Sequence, residues 1–155
     1  MIEIERKFLV KTDEYISLAF SKDSISQGFL NTDPERTVRV RIKNKEGYLT
    51  VKGKSNFSGT SRFEWETRIT FSDAVALLEL CEPEILIKDR YSIKVGNHII
   101  EVDVFKGKNL GLIVAEIELN DEEEKFIKPL WLGEEVTGQL KYYNSRLSKF
   151  PYLNW

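Results

Sequence analysis

The sequence predicts a β-rich α+β fold: a closed eight-stranded antiparallel β-barrel that forms a tunnel, with a charged lumen and helices packed outside. Three observations predict this fold. Apolar and polar residues alternate along most of the chain, charged residues recur at every second position, and short helical patterns separate some of the alternating segments. The length of 155 residues is that of about one domain, so we expect residues 1–155 to form a single domain.

The composition excludes several classes of protein. Apolar residues make up 41% and charged residues 31% of the chain, which is typical of neither a disordered chain nor a membrane protein. The 23 basic and 25 acidic residues give a net charge of −2, which argues against binding of a nucleic acid polymer or an acidic membrane through bulk charge. Cys81 is the one cysteine, so no internal disulfide can form, and we expect a cytoplasmic protein.

Strands are predicted wherever the alternation has a period of two residues. Turn residues such as Gly96-Asn97 separate several of these segments, which favours antiparallel hairpins between neighbours. An eighth, weaker segment covers residues 25–30. The seven clear segments are residues 2–10, 37–43, 48–54, 62–71, 86–94, 98–105 and 112–119.

Four helices are predicted between and after the strands. They cover residues 13–20, 72–81, 121–127 and 142–149, and Ser72 is the expected N-cap of the second. The run Asp121-Glu122-Glu123-Glu124 favours a helix start because acids interact well with the positive end of the helix dipole. We expect these helices to cover apolar strand faces from the outside.

The charges collect on one face of each predicted strand, because residues of one parity in a strand point to the same side. One such strand is typical of a sheet with one face in water, but the repetition over many strands indicates that the charged faces line the interior of a barrel. The bases are Lys7, Arg39, Arg41, Lys52, Lys88 and Arg90. The acids are Glu3, Glu5, Glu64, Glu66, Glu101, Asp103, Glu116 and Glu118.

This mixture of charges indicates the chemistry of the ligand. Arginine and lysine from several strands suit a phosphate polyanion, which the acids alone would repel. Divalent cations reconcile the two sets, because a hard ion such as Mg²⁺ binds carboxylates together with substrate phosphates. The pattern therefore predicts a site for a phosphate ligand and its metal ions.

The ordered motifs resemble the CYTH family, also called triphosphate tunnel metalloenzymes. Glu3-Ile4-Glu5-Arg6-Lys7 matches the ExExK signature that opens this family. Phe29 departs from the family pattern, since relatives often have tyrosine there. The later motifs are Val38-Arg39-Val40-Arg41, Thr50-Val51-Lys52-Gly53, Arg62-Phe63-Glu64-Trp65-Glu66, Lys88-Asp89-Arg90-Tyr91, Glu101-Val102-Asp103-Val104-Phe105 and Ala115-Glu116-Ile117-Glu118-Leu119.

The resemblance implies roles for the lumen residues, carried over by position. Glu3, Glu5 and Glu118 would bind the metal that holds the triphosphate, and the six bases would form the phosphate clamp. Asp103 and Glu116, with Glu101, would surround a second metal near the attacking water. Lys88 is a candidate general base as well as a phosphate ligand, and Glu64 and Glu66 would orient the clamp.

The resemblance also implies the reaction. We expect Mg²⁺ or Mn²⁺, with two ions during turnover, and hydrolysis of inorganic tripolyphosphate to pyrophosphate and phosphate. Two alternatives stay open at this point: a class IV type adenylate cyclase that makes cyclic AMP from ATP, and a non-catalytic module that binds polyphosphate or nucleotide. The partner in each case is a small triphosphate compound, and a homodimer is compatible with the sequence.

Overall fold

The computed structural model describes residues 2–155. Its helices are short, and none of those described is long and apolar enough to cross a membrane. The α-helices are α1 (Glu14–Leu18), α2 (Phe71–Glu79) and α3 (Asn144–Leu147). The strands are β1 (Ile2–Val10), β2 (Ser21–Asn31), β3 (Arg36–Lys43), β4 (Glu46–Gly53), β5 (Ser61–Ile69), β6 (Leu86–Val95), β7 (His98–Phe105), β8 (Ile113–Glu118) and β9 (Leu132–Glu135).

Eight of the strands close into the predicted antiparallel barrel. The hydrogen-bonded order is β5-β4-β3-β2-β6-β7-β8-β1, and β1 also pairs with β5, which closes the sheet on itself. This seam is short, because among residues 2–155 only Ile2, Glu3 and Ile4 of β1 have partners on β5. The antiparallel barrel is therefore confirmed.

The sequence did not predict a ninth strand. β9 pairs with β1 through Phe8 and Val10, on the edge of β1 that lies away from β8. β5 uses the same edge at the other end of β1, so β9 begins pairing where β5 has diverged. The backbone of Lys7 also bonds Val136 and the Thr137 hydroxyl, which fixes the segment after β9 against the barrel.

The outward faces of β1, β6, β7 and β8 form the main apolar core. α1 and the chain between β8 and β9 cover this face, through residues such as Tyr15, Trp131 and Phe126. Burial of large apolar side chains contributes about 1.5–3 kcal/mol each. The buried members are Phe8, Tyr15, Ile93, Ile100, Val102, Ala115, Ile117, Leu119, Trp131 and Leu132.

A second apolar cluster closes one end of the lumen. Phe29, Phe105 and Val114 lie opposite charged lumen residues and Leu86 lies opposite Gln27, so all four point inward at this end. The C-terminal segment packs on them. Leu112, Val136, Tyr142 and Leu147 complete the cluster. The lumen is thus charged over part of its length only.

The prediction of a helix over residues 121–127 is wrong. The chain there forms a turn in which Asp121 accepts a hydrogen bond from the backbone N–H of Glu123, and residues 121–127 contain no helix. Glu124 accepts from Asn120 and pairs with His98, so its carboxylate is used by tertiary contacts. Phe126 packs edge-on against Phe8, which holds the segment extended over the barrel.

The other helices differ from prediction at their ends. Thr70, and not Ser72, caps α2, since its hydroxyl accepts a hydrogen bond from the N–H of Asp73 at 3.0 Å. The C-terminal helix is reduced to one turn, Asn144–Leu147, between short 3₁₀ segments. The weak eighth strand extends well beyond the predicted residues 25–30, because both β3 and β6 pair with it.

Two glycines join the β4–β5 hairpin loop to the segment after β9. Gly59 and Gly138 both have positive φ, at 75° and 74°, a backbone conformation that disfavours side chains. A Cβ on Gly59 would lie 2.4 Å from the Cα of Gly138, and a Cβ on Gly138 would lie 2.7 Å from the carbonyl oxygen of Ser58. Backbone contact at this point therefore requires glycine on both sides.

We predict that Gly138→Ala detaches this loop, with Gly107→Ala as the matched control. Gly107 has φ 60°, but a Cβ on it would meet no atom within 4 Å, so its substitution should cost only the left-handed strain of about 1 kcal/mol. Gly138→Ala adds a backbone clash and should cost at least about 1 kcal/mol more in free energy of unfolding. Denaturant unfolding measures both, and equal losses would contradict the contact.

Candidate active site

The lumen holds a cavity of about 510 Å³ that opens at the end away from the apolar cluster. Its volume is in the range of small-molecule sites. Charged side chains from β1 and from β3 to β8 form most of its wall. The charged lining residues are Glu3, Glu5, Arg39, Arg41, Lys43, Lys52, Arg62, Glu64, Glu66, Arg90, Glu101, Glu116 and Glu118, and His98 lies at the rim with Asn97 and Asn120.

The structure brings together all of the residues predicted for the site. Strand pairing places them on one face of the barrel, for example Lys7 opposite Glu116 and Arg90 opposite Asp103. Most of them line the cavity, whereas Lys7, Lys88 and Asp103 lie outside its lining. The side chains of Lys88 and Asp103 are 1% and 2% exposed, so they form the floor of the site.

Asp103 is the centre of the buried floor. It accepts hydrogen bonds from Lys88 Nζ at 2.5 Å and from Arg90 Nε and Nη2 at 2.6 and 2.7 Å. Burial lowers the pKa of Lys88 to about 8 despite the attraction of Asp103. The two bases hold the pKa of the Asp103 carboxyl below its ordinary value against the effect of burial.

Glu116 connects this floor to β1. It lies 2.7 Å from Lys7 Nζ and 3.2 Å from Arg90 Nη2, and Arg90 also pairs with Glu101. Burial opposes ionisation of Glu116, but the neighbouring bases outweigh it and hold its pKa well below the ordinary value. Likewise, Glu116 and Glu5 raise the pKa of Lys7 although burial opposes its charge.

A second group of pairs lies at the β1–β5 seam. Glu3 accepts hydrogen bonds from Lys52 Nζ at 2.8 and 2.9 Å and from Arg62 Nε at 2.9 Å. Lys52 also lies 2.5 Å from Glu64, and Arg62 lies 3.6 Å from Glu5. The bases of this group are thus each shared by two acids.

A third group surrounds Glu66. Its carboxylate accepts from Nη2 of both Arg39 and Arg41 at 3.2 Å and from the Thr50 hydroxyl at 2.7 Å. Burial and the neighbouring Arg41 lower the pKa of Arg39 to about 10, which keeps it charged at neutral pH. Glu66 therefore holds the guanidinium groups of Arg39 and Arg41.

Glu118 differs from the other predicted lumen acids, because it forms no ion pair with any residue in 2–155. It lies directly opposite Glu5 across β1 and β8, an arrangement of like charges that is ordinarily destabilising. Glu118 is exposed at the end of β8, but partial burial of its carboxyl, followed by repulsion from Glu3, Glu101, Glu64 and Glu5, raises the pKa of that group. This corner of the lumen is therefore a favourable place for a cation.

The donor set at this corner fits a hard divalent metal ion. Glu3, Glu5 and Glu118 offer carboxylate oxygens, the ligands that Mg²⁺ and Mn²⁺ prefer. Burial and then the repulsion from the neighbouring acids raise the Glu118 pKa, and a bound cation would relieve that repulsion. Within residues 2–155 no three acids are already drawn together as a metal cage, because bases hold Glu3 and Glu5.

Sequence reasoning missed several residues of the lumen. Arg62 has the same parity as Glu64 and Glu66, so extending the alternation by one step would have found it. Thr50 lies two residues before Lys52 and therefore has the same parity on β4. Tyr143 had no local signal: it arrives from the C-terminal segment, and its ring lies 5.6 Å from Lys7 Nζ and 5.9 Å from Arg62 Cζ.

Comparison with known proteins identifies the family. The model of the CYTH domain matches residues 1–151. An inorganic triphosphatase of Acetivibrio thermocellus is 48% identical over 154 residues, with 99% of this chain and 97% of that protein covered. One of Nitrosomonas europaea is 35% identical over 152 residues, covering 96% and 97%.

Similarity to a solved structure supports the same family assignment. The crystal structure of the inorganic triphosphatase NE1496 has a TM-score of 0.65 and 34% identity, covering 94% of this chain and 97% of that one. Membership of the family implies a divalent metal requirement. Because the family model matches nearly the whole chain, the chain belongs to the CYTH domain family.

Proposed function

We propose that this protein is a metal-dependent inorganic triphosphatase, which hydrolyses tripolyphosphate to pyrophosphate and phosphate. The observation that carries the proposal is the closed lumen in which six clamp bases face acids, with Glu118 opposite Glu5 as a like-charge pair. A polyanion accompanied by divalent cations satisfies both sets of charges. The relatives named above are inorganic triphosphatases, which agrees with this chemistry.

The clamp bases bind and orient the triphosphate. Arg39, Arg41, Lys52 and Arg90 line the cavity, so their donors can turn from carboxylates to phosphate oxygens over short distances. Positioning and charge stabilisation supply most of the catalysis in phosphoryl transfer, because charge spreads over the transferred group and the leaving oxygen. The fixed donors of the barrel wall are already placed for that charge.

Glu3, Glu5 and Glu118 would hold the first metal ion, and Glu101, Glu116 and Asp103 the shell of a second. When bound, such ions neutralise phosphate charge and lower the pKa of an attacking water. Glu101 and Glu116 line the cavity. Glu101 can accept the proton of that water, whereas the bases around Glu116 keep its carboxylate ionised as a ligand. Asp103 lies deeper, where it orients Lys88 and Arg90.

Lys88 keeps its two proposed roles, phosphate ligand and general base. Its Nζ is buried beneath the cavity and bonded to Asp103, and its pKa of about 8 allows either protonation state near neutral pH. Glu64 and Glu66 orient Lys52 and the two arginines of β3.

Four further expectations stay predictions. They are the use of Mg²⁺ or Mn²⁺ as a pair of ions, the cytoplasmic location, the absence of a nucleic acid or membrane partner, and a homodimer. The organisation of residues 1–155 as one domain likewise stays a prediction.

Product analysis tests the proposed function. With Mg²⁺ or Mn²⁺, tripolyphosphate should give equal amounts of phosphate and pyrophosphate, and a chelator should stop the reaction. Cyclic AMP from ATP would instead assign a cyclase. Tight binding of tripolyphosphate with no product under any metal condition would assign a binding module.

Glu118→Gln should abolish metal-dependent turnover, because it removes the carboxylate that is most available to a metal. The loss should exceed about 100-fold in kcat, with the circular dichroism spectrum unchanged. Glu79→Gln is the control, since Glu79 is an exposed acid on α2. Unchanged phosphate release by Glu118→Gln would contradict the metal assignment.

The same substitution should stabilise the protein in metal-free buffer at pH 7. Glu118 has a higher pKa in the folded chain than in the unfolded chain, so the folded state binds the proton more tightly. As pH rises from the unfolded-state pKa through the folded-state pKa, the folded protein therefore loses stability. Glu118→Gln removes this loss. Denaturant unfolding should show the variant to be more stable at pH 7 and the difference to vanish near pH 4. A less stable variant at pH 7 would contradict the Glu118 environment.

Arg62→Gln should lower kcat/KM for tripolyphosphate by about 10- to 100-fold, the effect of losing hydrogen bonds to a charged group. Arg68→Gln is the matched control on the same strand and face, because the Arg68 side chain is 69% exposed and pairs with Glu46. Steady-state kinetics measures both. Equal kinetics of the two variants would exclude Arg62 from the clamp.

A further inference from the structure

Gln27 is a buried polar residue of the lumen wall that the mechanism above does not use. It lies on β2 directly opposite Arg41 on β3 and Leu86 on β6, so its side chain points into the barrel. It is 0% exposed, and neither its amide nitrogen nor its amide oxygen has a hydrogen-bond partner among residues 2–155. Leaving a buried polar group without a partner costs about 1–3 kcal/mol.

The neighbouring arginine has a matching unused donor. The Nε of Arg41 is buried and has no hydrogen-bond partner among the described residues. Its Nη2 donates to Glu66 in two long bonds of 3.2 and 3.3 Å, and its guanidinium lies 5.2 Å from the Tyr48 ring. Gln27 and Arg41 are cross-strand partners, whose Cβ atoms are ordinarily about 4.5–5.5 Å apart.

An acceptor without a donor and a donor without an acceptor therefore belong to directly paired residues of neighbouring strands. Rotation of the Arg41 side chain away from Glu66 would let Nε–H donate to Gln27 Oε1. The two Nη groups would then be available to the phosphate oxygens of the proposed ligand. The arginine fork suits this geometry, because Nε and the Nη groups donate in one plane.

We propose that Gln27 is a positioning residue, which holds Arg41 in its phosphate-binding orientation by accepting a hydrogen bond from Arg41 Nε when triphosphate is bound. Glu66 thus holds Arg41 in one orientation without ligand, and Gln27 holds it in another when triphosphate is bound. This inference rests on the proposed function only in taking tripolyphosphate as the ligand.

The inference is tested by a double-mutant cycle between Gln27→Leu and Arg41→Lys. Lysine keeps the positive charge of position 41 but has no Nε–H in the arginine position. Calorimetry in metal-free buffer measures the Kd of inorganic tripolyphosphate, which does not depend on turnover. We expect Gln27→Leu to weaken binding roughly tenfold, the effect of one charge-assisted hydrogen bond. In the Arg41→Lys background the same substitution should change Kd less than twofold.

Kinetics with Mg²⁺ supplies a second readout. Gln27→Leu should raise KM with little change in kcat, and Ser26→Ala, on the outward face of the same strand, should leave both unchanged. Without ligand, Gln27→Leu and Gln27→Met should be at least as stable as the parent protein, because an apolar side chain replaces an amide without partners.

The outcomes separate this inference from the proposed function. The role of Gln27 would be overturned if Gln27→Leu left Kd unchanged, or if it weakened binding by the same factor in the parent and in the Arg41→Lys background. Either result would stand even if the parent enzyme hydrolyses tripolyphosphate. Lower ligand-free stability of both Gln27 variants would overturn it as well. Absence of turnover by the parent protein would overturn the proposed function, and the Kd cycle would still decide the role of Gln27.

Discussion

Closure of the barrel at the β1–β5 seam turns the charged strand faces away from bulk water, so a buried ion in the lumen is costly unless it has a partner. Ions removed from water lose several kcal/mol of solvation each, which their pairing must offset. The structure meets this constraint by sharing: Arg90 contacts Asp103, Glu101 and Glu116, and Glu66 receives two arginines. The rest of the wall is arranged around these shared contacts.

Sharing also explains how one lumen can hold both an anion and its cations. In the proposed function, the acids already orient the lumen bases, so binding of triphosphate would exchange one set of charged partners for another. The acids released from the bases would then be free to bind metal. Glu118 has no base to release among residues 2–155, so in the proposed function its carboxylate would be available to the first cation.

The two ends of the tunnel differ for a packing reason. The C-terminal segment brings Tyr142 and Leu147 onto the inward-facing Phe29 and Phe105, so this end is closed by apolar contact. Tyr143, next to that cluster, contacts two bases of the charged part. One short segment of chain therefore contacts both the closed end of the lumen and two of its bases.

The sequence alone determined the barrel and most of its charged lumen. Alternation with a period of two is a local property, and residues such as Arg39 and Arg41 must share a face in any strand that contains them. The ordered motifs then predicted a triphosphate site. The helix over residues 121–127 failed because tertiary contacts of Glu124 and Phe126 outweighed local helix preference.

Only the tertiary structure decided which charges pair, how deeply they lie and what the C-terminal segment contributes. Parity places Glu5 and Glu118 in the lumen, but strand register makes them direct neighbours and leaves Glu118 without a base among residues 2–155. Register likewise puts Gln27 beside Arg41. These relations join residues far apart in the chain, so no local pattern can encode them, and they fix the electrostatics on which binding depends.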